Sequence, residues 1–581
     1  MLLEEGYFFM KSFTDLSKNN KKDKSNLPKV KLAILGQSAS QFLGEAMSGI
    51  AYDTGLNIEI YESDFGQIEQ EIYNPESELY SFQADWILIF HDSNSLQKKF
   101  SELNNDERRA FSDSHIENLG NLYKTIKSRL SSKILYYNLA EFSDGIFGNF
   151  SNKVDISFNY QIKKLNFNLM DLSRELKDLF IVDLNSVSQL IGRKEFFNSR
   201  LYYQASLAIS LDALPLVAKQ TLDSILALRG QVKKCLIFDL DNTLWGGVIG
   251  DDGIEKIELG NLGNGKAHSE LQRWGKQLKE RGIILAVCSK NEEYNAKDPF
   301  LNHPEMILKL EDFAIFVANW NNKADNIRDI QKVLNIGFDS MVFIDDNPYE
   351  RNLVRENLPE VCVPELPEDP VDYVDFLRNE NIFETGSHSL NDEKRTEQYR
   401  AEAERIVFQK SFSDPGEYLA SLKMKANIQE FGKFNIPRVA QLAERSNQFN
   451  LRTIRYSEAE ITSISEAENK IGLSYSLEDK YGDYGIIAVI ILDINSDHLF
   501  IDTWIMSCRV LKRGVEWFIL NDLAERCKDL DKPKLIGEYI PTKKNKLVKD
   551  HYQSLGFVED EGKWVLELKD FKALDNNISK A

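Results

Sequence analysis

The sequence predicts a multidomain α/β chain, and three features carry that reading. From Lys29 to about Gly230, short β-rich runs alternate with polar helical stretches. A second alternation runs from about Val232 to Phe383, and each of its strands ends in a polar or charged residue. A third stretch, from about Lys425 to Leu568, strings strands and helices in mixed order. Alternation of the first kind places strands in a parallel sheet with helices on its faces. The 581 residues, 42% hydrophobic and 11% aromatic, can fill several cores; a chain of this length suggests about three or four domains.

Taken in order, residues 1–28 read as a flexible leader, because TDLSKNNKKDKSNLP is polar and rich in Lys and Asn. The start, MLLEEGYFFMKSF, has acids where a signal peptide needs bases, and its apolar run is too short for one. Residues 29–230 hold the strands VKLAILG, LNIEIYE, ADWILIF, KILYYNL and LFIVDL and close on the helical LVAKQTLDSILALRG. Residues 231–385 hold CLIFDLD, ILAVCSK, FAIFVAN and SMVFIDD. A charged helical linker is expected over 386–424, a third domain over 425–570 and a frayed tail over 571–581. No internal repeat is visible.

The net charge of −20 argues against nonspecific nucleic-acid binding. It also requires local bases or a metal wherever an anion is to bind. Five scattered cysteines without a CxxC pair point to a reducing cytoplasm. The longest apolar runs, such as Gly485–Ile494, have strand length, not membrane length. The expectation is a cytoplasmic protein that does not insert into membranes.

KKCLIFDLDNTLWGGVIG drives a buried strand into two aspartates, Asp239 and Asp241. That placement costs several kcal/mol unless something compensates the charge. Open parallel sheets place their active sites at such strand ends. Ser289, Lys323, Asp345 and Asp346 follow the next three strands. Asp239, Asp241, Asp345 and Asp346 offer the oxygen ligands that Mg²⁺ favours. Asp239 could then attack phosphorus, and Asp241 could protonate the leaving oxygen and activate water. Ser289 would donate to a phosphoryl oxygen, and Lys323 would balance charge in the transition state.

DLDNT, SK, K and DD stand in the order of the haloacid dehalogenase (HAD) superfamily, which this stretch resembles. LDNTLWGGVIGDDG, SKNEE, ANWNNKADNI and FIDDNPYERNLVRENLPEV, with RSNQFNLRTIRY and SCRVLKRGVEW further on, resemble its FkbH-like branch, of subfamily IIIC type. The likeness spans about Val232–Leu568. It implies an aspartyl-phosphate phosphatase. In the better-known members it also implies removal of phosphate from a three-carbon unit taken from 1,3-bisphosphoglycerate. The glyceryl group is then delivered as a thioester on an acyl carrier protein and its phosphopantetheine arm. Other members sit in polysaccharide or natural-product pathways. Only 50 positions separate Asp239 from Ser289, which leaves no room for a large cap domain and suits a phosphate carried on a macromolecule.

The third domain resembles the GNAT acyltransferase fold, and its final segment, IPTKKNKLVKDHYQSLGF, contains Asn545 and Tyr552. The likeness makes Tyr552 a candidate acid; a core tyrosine is the other reading. The stretch corresponding to the usual pyrophosphate loop holds Lys512, Arg513 and Gly514, but Glu516 would repel a phosphate at that helix start. Cys508, with Arg509, Lys512 and Arg513 nearby, could carry the acyl group as a thiolate, or be a small buried residue. Lys543, Lys544, Lys546 and Lys549 form either a landing site for a carrier or a solvated face.

AILGQSASQFLG, with Ser38 after the first strand, resembles the first block of the SGNH hydrolases. That family needs a His near the domain's end, and EFFNSRLYYQASLAIS has none, so a catalytically silent SGNH-like scaffold is expected. His91 and Asp92 at the end of ADWILIF form a secondary candidate site. Two other readings of the whole chain stand beside the phosphatase–acyltransferase one: a HAD phosphatase acting on a sugar phosphate or glycan precursor, and a non-catalytic assembly protein.

Overall fold

A computed structural model of the chain describes residues 11–388, 399, 401, 414–446, 449–507, 510–542, 544–569 and 571–581. The chain divides into two compact units, Met1–Ile225 and Leu226–Ala581. The first is built on a five-stranded sheet, all parallel, in the order β2-β1-β3-β4-β5. Its strands are β1 (Lys29–Gly36), β2 (Asn57–Glu62), β3 (Trp86–Phe90), β4 (Lys133–Tyr137) and β5 (Leu179–Val182). The central β3, Trp-Ile-Leu-Ile-Phe, is buried at every position, as a strand covered by helices on both faces must be. The chain reverses direction across the sheet between β1 and β3, and Ser38 and Asp92 follow those two strands.

The expected flexible leader gives way to a docked helix, Phe13–Asn19. Ser12 caps it by accepting from Asp15 N. Leu16 is 2% exposed against the helix Gln41–Asp53, and Asn19 Nδ2 donates to Gly49 O at 3.0 Å. A Cβ at Gly49 would lie 2.4 Å from Leu16 O, so only glycine allows the approach. A polar composition hid one apolar anchor, Leu16, and one buried hydrogen-bonding side chain, Asn19.

The second unit contains two sheets. One has the order β8-β7-β6-β9, all parallel, from β6 (Cys235–Phe238), β7 (Ile284–Ser289), β8 (Phe313–Ala318) and β9 (Met341–Ile344). Between β6 and β7 lie a short turn of helix, Ile249–Asp252, and the helix Gly263–Glu280; no cap domain is inserted there among the described residues. The other sheet has eight strands in the order β15-β16-β14-β13-β12-β11-β10-β17. They are β10 (Met424–Glu430), β11 (Lys470–Asp479), β12 (Gly482–Ile494), β13 (His498–Met506), β14 (Lys534–Gly537), β15 (Val558–Asp560), β16 (Lys563–Glu567) and β17 (Ile578–Lys580). The antiparallel run β10 to β13 and the parallel β13–β14 pair give the mixed GNAT-like order.

The tail expected to fray ends as a strand. β17 pairs with β10 through Met424↔Ile578, and Asn521 holds Leu574 by two hydrogen bonds of 2.8 Å. Of the expected linker, the helix Pro415–Ser421 is described, while residues 389–398, 400 and 402–413 lie outside the described residues. Among the described residues no helix is long and apolar enough to cross a membrane.

If Phe13–Asn19 is part of the core, Leu16→Ala should lower stability by about 2–5 kcal/mol in urea unfolding, as buried Leu→Ala changes do. A free leader predicts no change.

Candidate active site

Four strand ends of the β6–β9 sheet converge on one spot. Asp239 follows β6, Ser289 ends β7, and Asp345 and Asp346 follow β9. Lys323 opens the helix Lys323–Leu334, which Asn322 caps by accepting from Asp325 N. A cation in the first helical turn opposes the helix dipole, so its placement calls for another cause. The cause is two carboxylates: Lys323 Nζ lies 2.9 Å from Asp239 Oδ1 and is hydrogen-bonded to Asp345. Burial works against the ammonium, but Asp239 and Asp345 outweigh it and hold its pKa above the usual value.

Asp239, Asp345 and Asp346 each offer one oxygen within 4.8 Å of the others. Three hard oxygen donors this close suit a divalent cation such as Mg²⁺ or Ca²⁺. Burial, reinforced by Asp239, pushes Asp345 above the carboxylate range and Asp346 up to about 6. The turn after β9 is held in place by its own sequence. Asp345 Oδ1 accepts from Asn347 N, and Asn347 caps the helix Pro348–Asn357 with proline in its first turn. Arg351, 4% exposed, donates to the carbonyls of Asp345 (2.9 Å) and Asp346 (2.7 Å).

Asp241 corrects the expected ligand set, because its carboxylate does not belong to that three-acid group. Oδ1 accepts from Trp245 Nε1 and Ile249 N, both at 2.9 Å, and Oδ2 from Asn291 Nδ2 at 2.8 Å. Burial raises its pKa against the pull of those three donors, and Asp239 adds to the rise. With Oδ1 taken twice, a proton would ride on Oδ2. The loop carrying it is tied to the helix Gly263–Glu280 by His268 Nδ1 to Thr243 O and Gln272 Nε2 to Leu244 O, both 2.8 Å. Asn291 also donates to Ser289 Oγ at 3.3 Å. Sequence reasoning does not reach Asn291, Trp245 or Arg351: Asn291 lies 50 positions from Asp241, while Trp245 and Arg351 lie close in sequence to Asp241 and Asp345 but nothing in their residue types marks them as their partners.

In the third domain the candidates serve the fold. Arg513, 6% exposed, is bonded to Tyr484 and lies 3.7 Å from Asp479, so its charge is committed inside the domain and not to a cofactor. Asn545 is fully buried; its Nδ2 donates to Asn450 O (3.0 Å) and Ile540 O (2.9 Å), and its Oδ1 accepts from Thr542 N (2.7 Å). Tyr552 is 1% exposed among Trp504, His551, Phe557 and Trp564. Burial raises its pKa, and a Cβ at Gly537 would lie 2.4 Å from its hydroxyl. It is a core tyrosine, not an acid facing a cleft. Lys512 is exposed and Gly514 precedes the helix Val515–Asp529 with φ 78°. Cys508, Arg509 and Lys543 lie outside the described residues. Lys544 pairs with Asp339 at 2.7 Å.

The β13–β14 pairing stops at Ile501↔Gly537, whereas β13 runs on to Met506. The chain fills the gap itself. Met506 N donates to Phe449 O (3.2 Å), Leu451 N to Trp504 O (3.4 Å) and Ile540 N to Leu451 O (2.9 Å). Asn545 pins this insert through Asn450.

In the first unit Ser38, 2% exposed, donates to Asp92 and not to a histidine. Asp92 is in turn committed to capping the helix Ser93–Glu102. His91 and His115 bracket the Tyr136 hydroxyl at 3.0 and 2.8 Å, and burial keeps both rings neutral, His115 at about 4.

Residues 31–226 match the family described as FkbH, N-terminal domain. The chain is also similar to the N-terminal part of the protein BF1531 from Bacteroides fragilis, a structure containing a phosphatase domain and complexed with Mg. Identity is 48%, covering 65% of this chain and 100% of that one, with a TM-score of 0.63. The chain belongs to the FkbH-like family. Smaller overlaps occur with ribosomal-protein-S18-alanine N-acetyltransferase from Escherichia coli (15% identity, 25% of this chain and 99% of that one, TM-score 0.20). Spermidine N-acetyltransferase from Vibrio cholerae overlaps similarly (12%, 25% and 96%, 0.20). The GNAT-like description of this FkbH-like chain rests on its strand order. No curated protein matches the chain.

Asp346 at about 6 stands above its ordinary 3.8. The folded state therefore binds more protons than the unfolded one across that window, and without a divalent cation stability should fall as pH rises from about 4 to 6. A bound cation displaces those protons. The thermal shift on adding one should therefore grow between pH 5 and 7, and a pH-independent shift contradicts the cluster as a cation site.

Proposed function

We propose that the chain is a Mg²⁺-dependent phosphatase that forms an aspartyl-phosphate on Asp239. The observation that carries this reading is the division of labour among the strand-end acids. Asp239, Asp345 and Asp346 converge within 4.8 Å, Lys323 lies on two of them, and Asp241 stands apart with a raised pKa. Mg²⁺, held by Asp239, Asp345 and Asp346, would supply the charge that lets phosphate and carboxylate approach; the Mg complex of the Bacteroides fragilis protein supports that choice.

An oxygen of Asp239 attacks phosphorus, and the bond from phosphorus to the leaving oxygen breaks. Asp241 gives that oxygen its Oδ2 proton and then, as a carboxylate, takes a proton from the water that attacks the acyl phosphate. Inorganic phosphate leaves and Asp239 is restored. Ser289 and Lys323 donate to the phosphoryl oxygens as charge develops. Their burial, at 2% and 3% exposed, keeps water from screening those contacts.

The finer reading is that the phosphate sits on a three-carbon unit from 1,3-bisphosphoglycerate and that the glyceryl product is loaded on an acyl carrier protein. FkbH-like membership supports it, as does the uncapped stretch between β6 and β7, which leaves the site open to a phosphate on a large carrier. Of the candidates for the acyl step, Arg513, Asn545 and Tyr552 are committed to the fold, and Cys508 lies outside the described residues. Intact-mass measurement of a carrier protein after incubation with 1,3-bisphosphoglycerate, Mg²⁺ and the chain tests it, since only loading adds a glyceryl group.

Asp239→Asn keeps volume but removes the nucleophile, and should lower phosphate release by at least about 10³-fold, within the range by which enzymes accelerate such steps. Chelation by EDTA should do the same. Wild-type turnover by the Asn variant contradicts the assigned nucleophile.

A further inference from the structure

The first unit carries an apolar surface that the phosphatase reading does not use. The helix Phe158–Glu175 buries Phe158, Ile162, Leu165 and Leu169. Its opposite face should be polar, yet Tyr160, Phe167 and Met170 are 38%, 59% and 52% exposed. The segment Gly148–Lys153 lies beside the first turns of this helix, where Asn159 Nδ2 donates to Ser151 Oγ (2.8 Å) and Asn152 Oδ1 (3.2 Å). It adds Phe150, 65% exposed. Large apolar side chains gathered on one stretch of surface mark an interaction site.

The charges along the helix indicate what covers it. The exposed stripe reads Tyr160, Lys163, Phe167, Asp171 and Arg174, in steps of three and four residues, so these side chains share one face. Phe167 lies at the middle of the eighteen-residue helix. A copy running antiparallel about a two-fold axis at Phe167 sets Phe167 on Phe167. Four residues either side, Lys163 meets Asp171; seven either side, Tyr160 meets Arg174. Ring contact, ion pair and cation–π contact are each favourable, and the symmetry makes the last two twice. Among the described residues of the single chain, Asp171 makes a loose local contact with Arg174 at 3.4 Å, and Lys163 reaches the amide oxygen of Asn152 at 3.4 Å. Both pairs are exposed and cost little to exchange. We propose that a second copy of this chain docks here, giving a two-fold dimer through antiparallel Phe158–Glu175 helices. A different partner gives no reason for a charge order that is complementary to itself about its central phenylalanine.

Sedimentation velocity of the full chain across the micromolar range tests this. The wild type should dimerise. Phe167→Glu sets two carboxylates on the axis and should give monomers with unchanged phosphate release. Lys163→Asp should weaken the dimer about tenfold, and Lys163→Asp with Asp171→Lys, which restores the pairing with signs reversed, should recover it. A wild type that stays monomeric, meaning another occupant or none, overturns the proposal. So does a Phe167→Glu chain that still dimerises, or a double variant no tighter than Lys163→Asp alone.

Discussion

Lys323 sits where three carboxylates meet, and the candidate site depends on that contact. Parallel strands that end together bring their terminal side chains together, so Asp239, Asp345 and Asp346 crowd at one edge of the sheet. Unpaired, such charges would not stay ionised in a buried place. The ammonium of Lys323 offsets part of the charge, and removing one partner of a buried pair leaves the other uncompensated, at about 3–5 kcal/mol. One cation against three acids leaves a deficit, and that deficit suits the cluster to a divalent cation rather than to a closed salt bridge.

The same loops separate the proposed nucleophile from the proposed acid. Asp239 and Asp241 are two residues apart, yet the turn after β6 sends one carboxylate to the cluster and the other to Trp245, Ile249 and Asn291. One acid is thereby kept near compensating charge and the other where burial favours its protonated form. A carboxylate beside compensating charge and a nearby acid whose protonated form burial favours are what a reaction with a nucleophile and a proton donor needs.

How much of this was legible differs by element. Apolar strands that end abruptly in polar or charged residues let Asp239, Ser289 and Asp345 be read directly, and Lys323 by its place after the third of them. Where the Asp241 carboxylate points could not, because two of its three donors are a backbone amide eight residues on and a side chain fifty residues on. The helix at Phe13–Asn19 was missed because its docking rests on Leu16 and Asn19 within a polar stretch, and β17 because one buried residue, Ile578, holds it. In the GNAT-like domain, likeness to a fold suggested roles for Arg513, Asn545 and Tyr552. Arg513 and Asn545 instead meet Tyr484 and Asn450, 29 and 95 residues away in sequence, and Tyr552 packs among core aromatics, while Phe449–Leu451, pinned by Asn545, closes the gap between β13 and β14 from within.

The central claim is that phosphate passes through Asp239. Acid quench of the chain during turnover of a phosphate ester, then borohydride reduction and peptide mass spectrometry, reads it directly, because an aspartyl-phosphate is reduced to homoserine. The account predicts homoserine at position 239 and intact Asp at 241, 345 and 346. Phosphate release with no reducible residue, or homoserine at one of the other three, would contradict it.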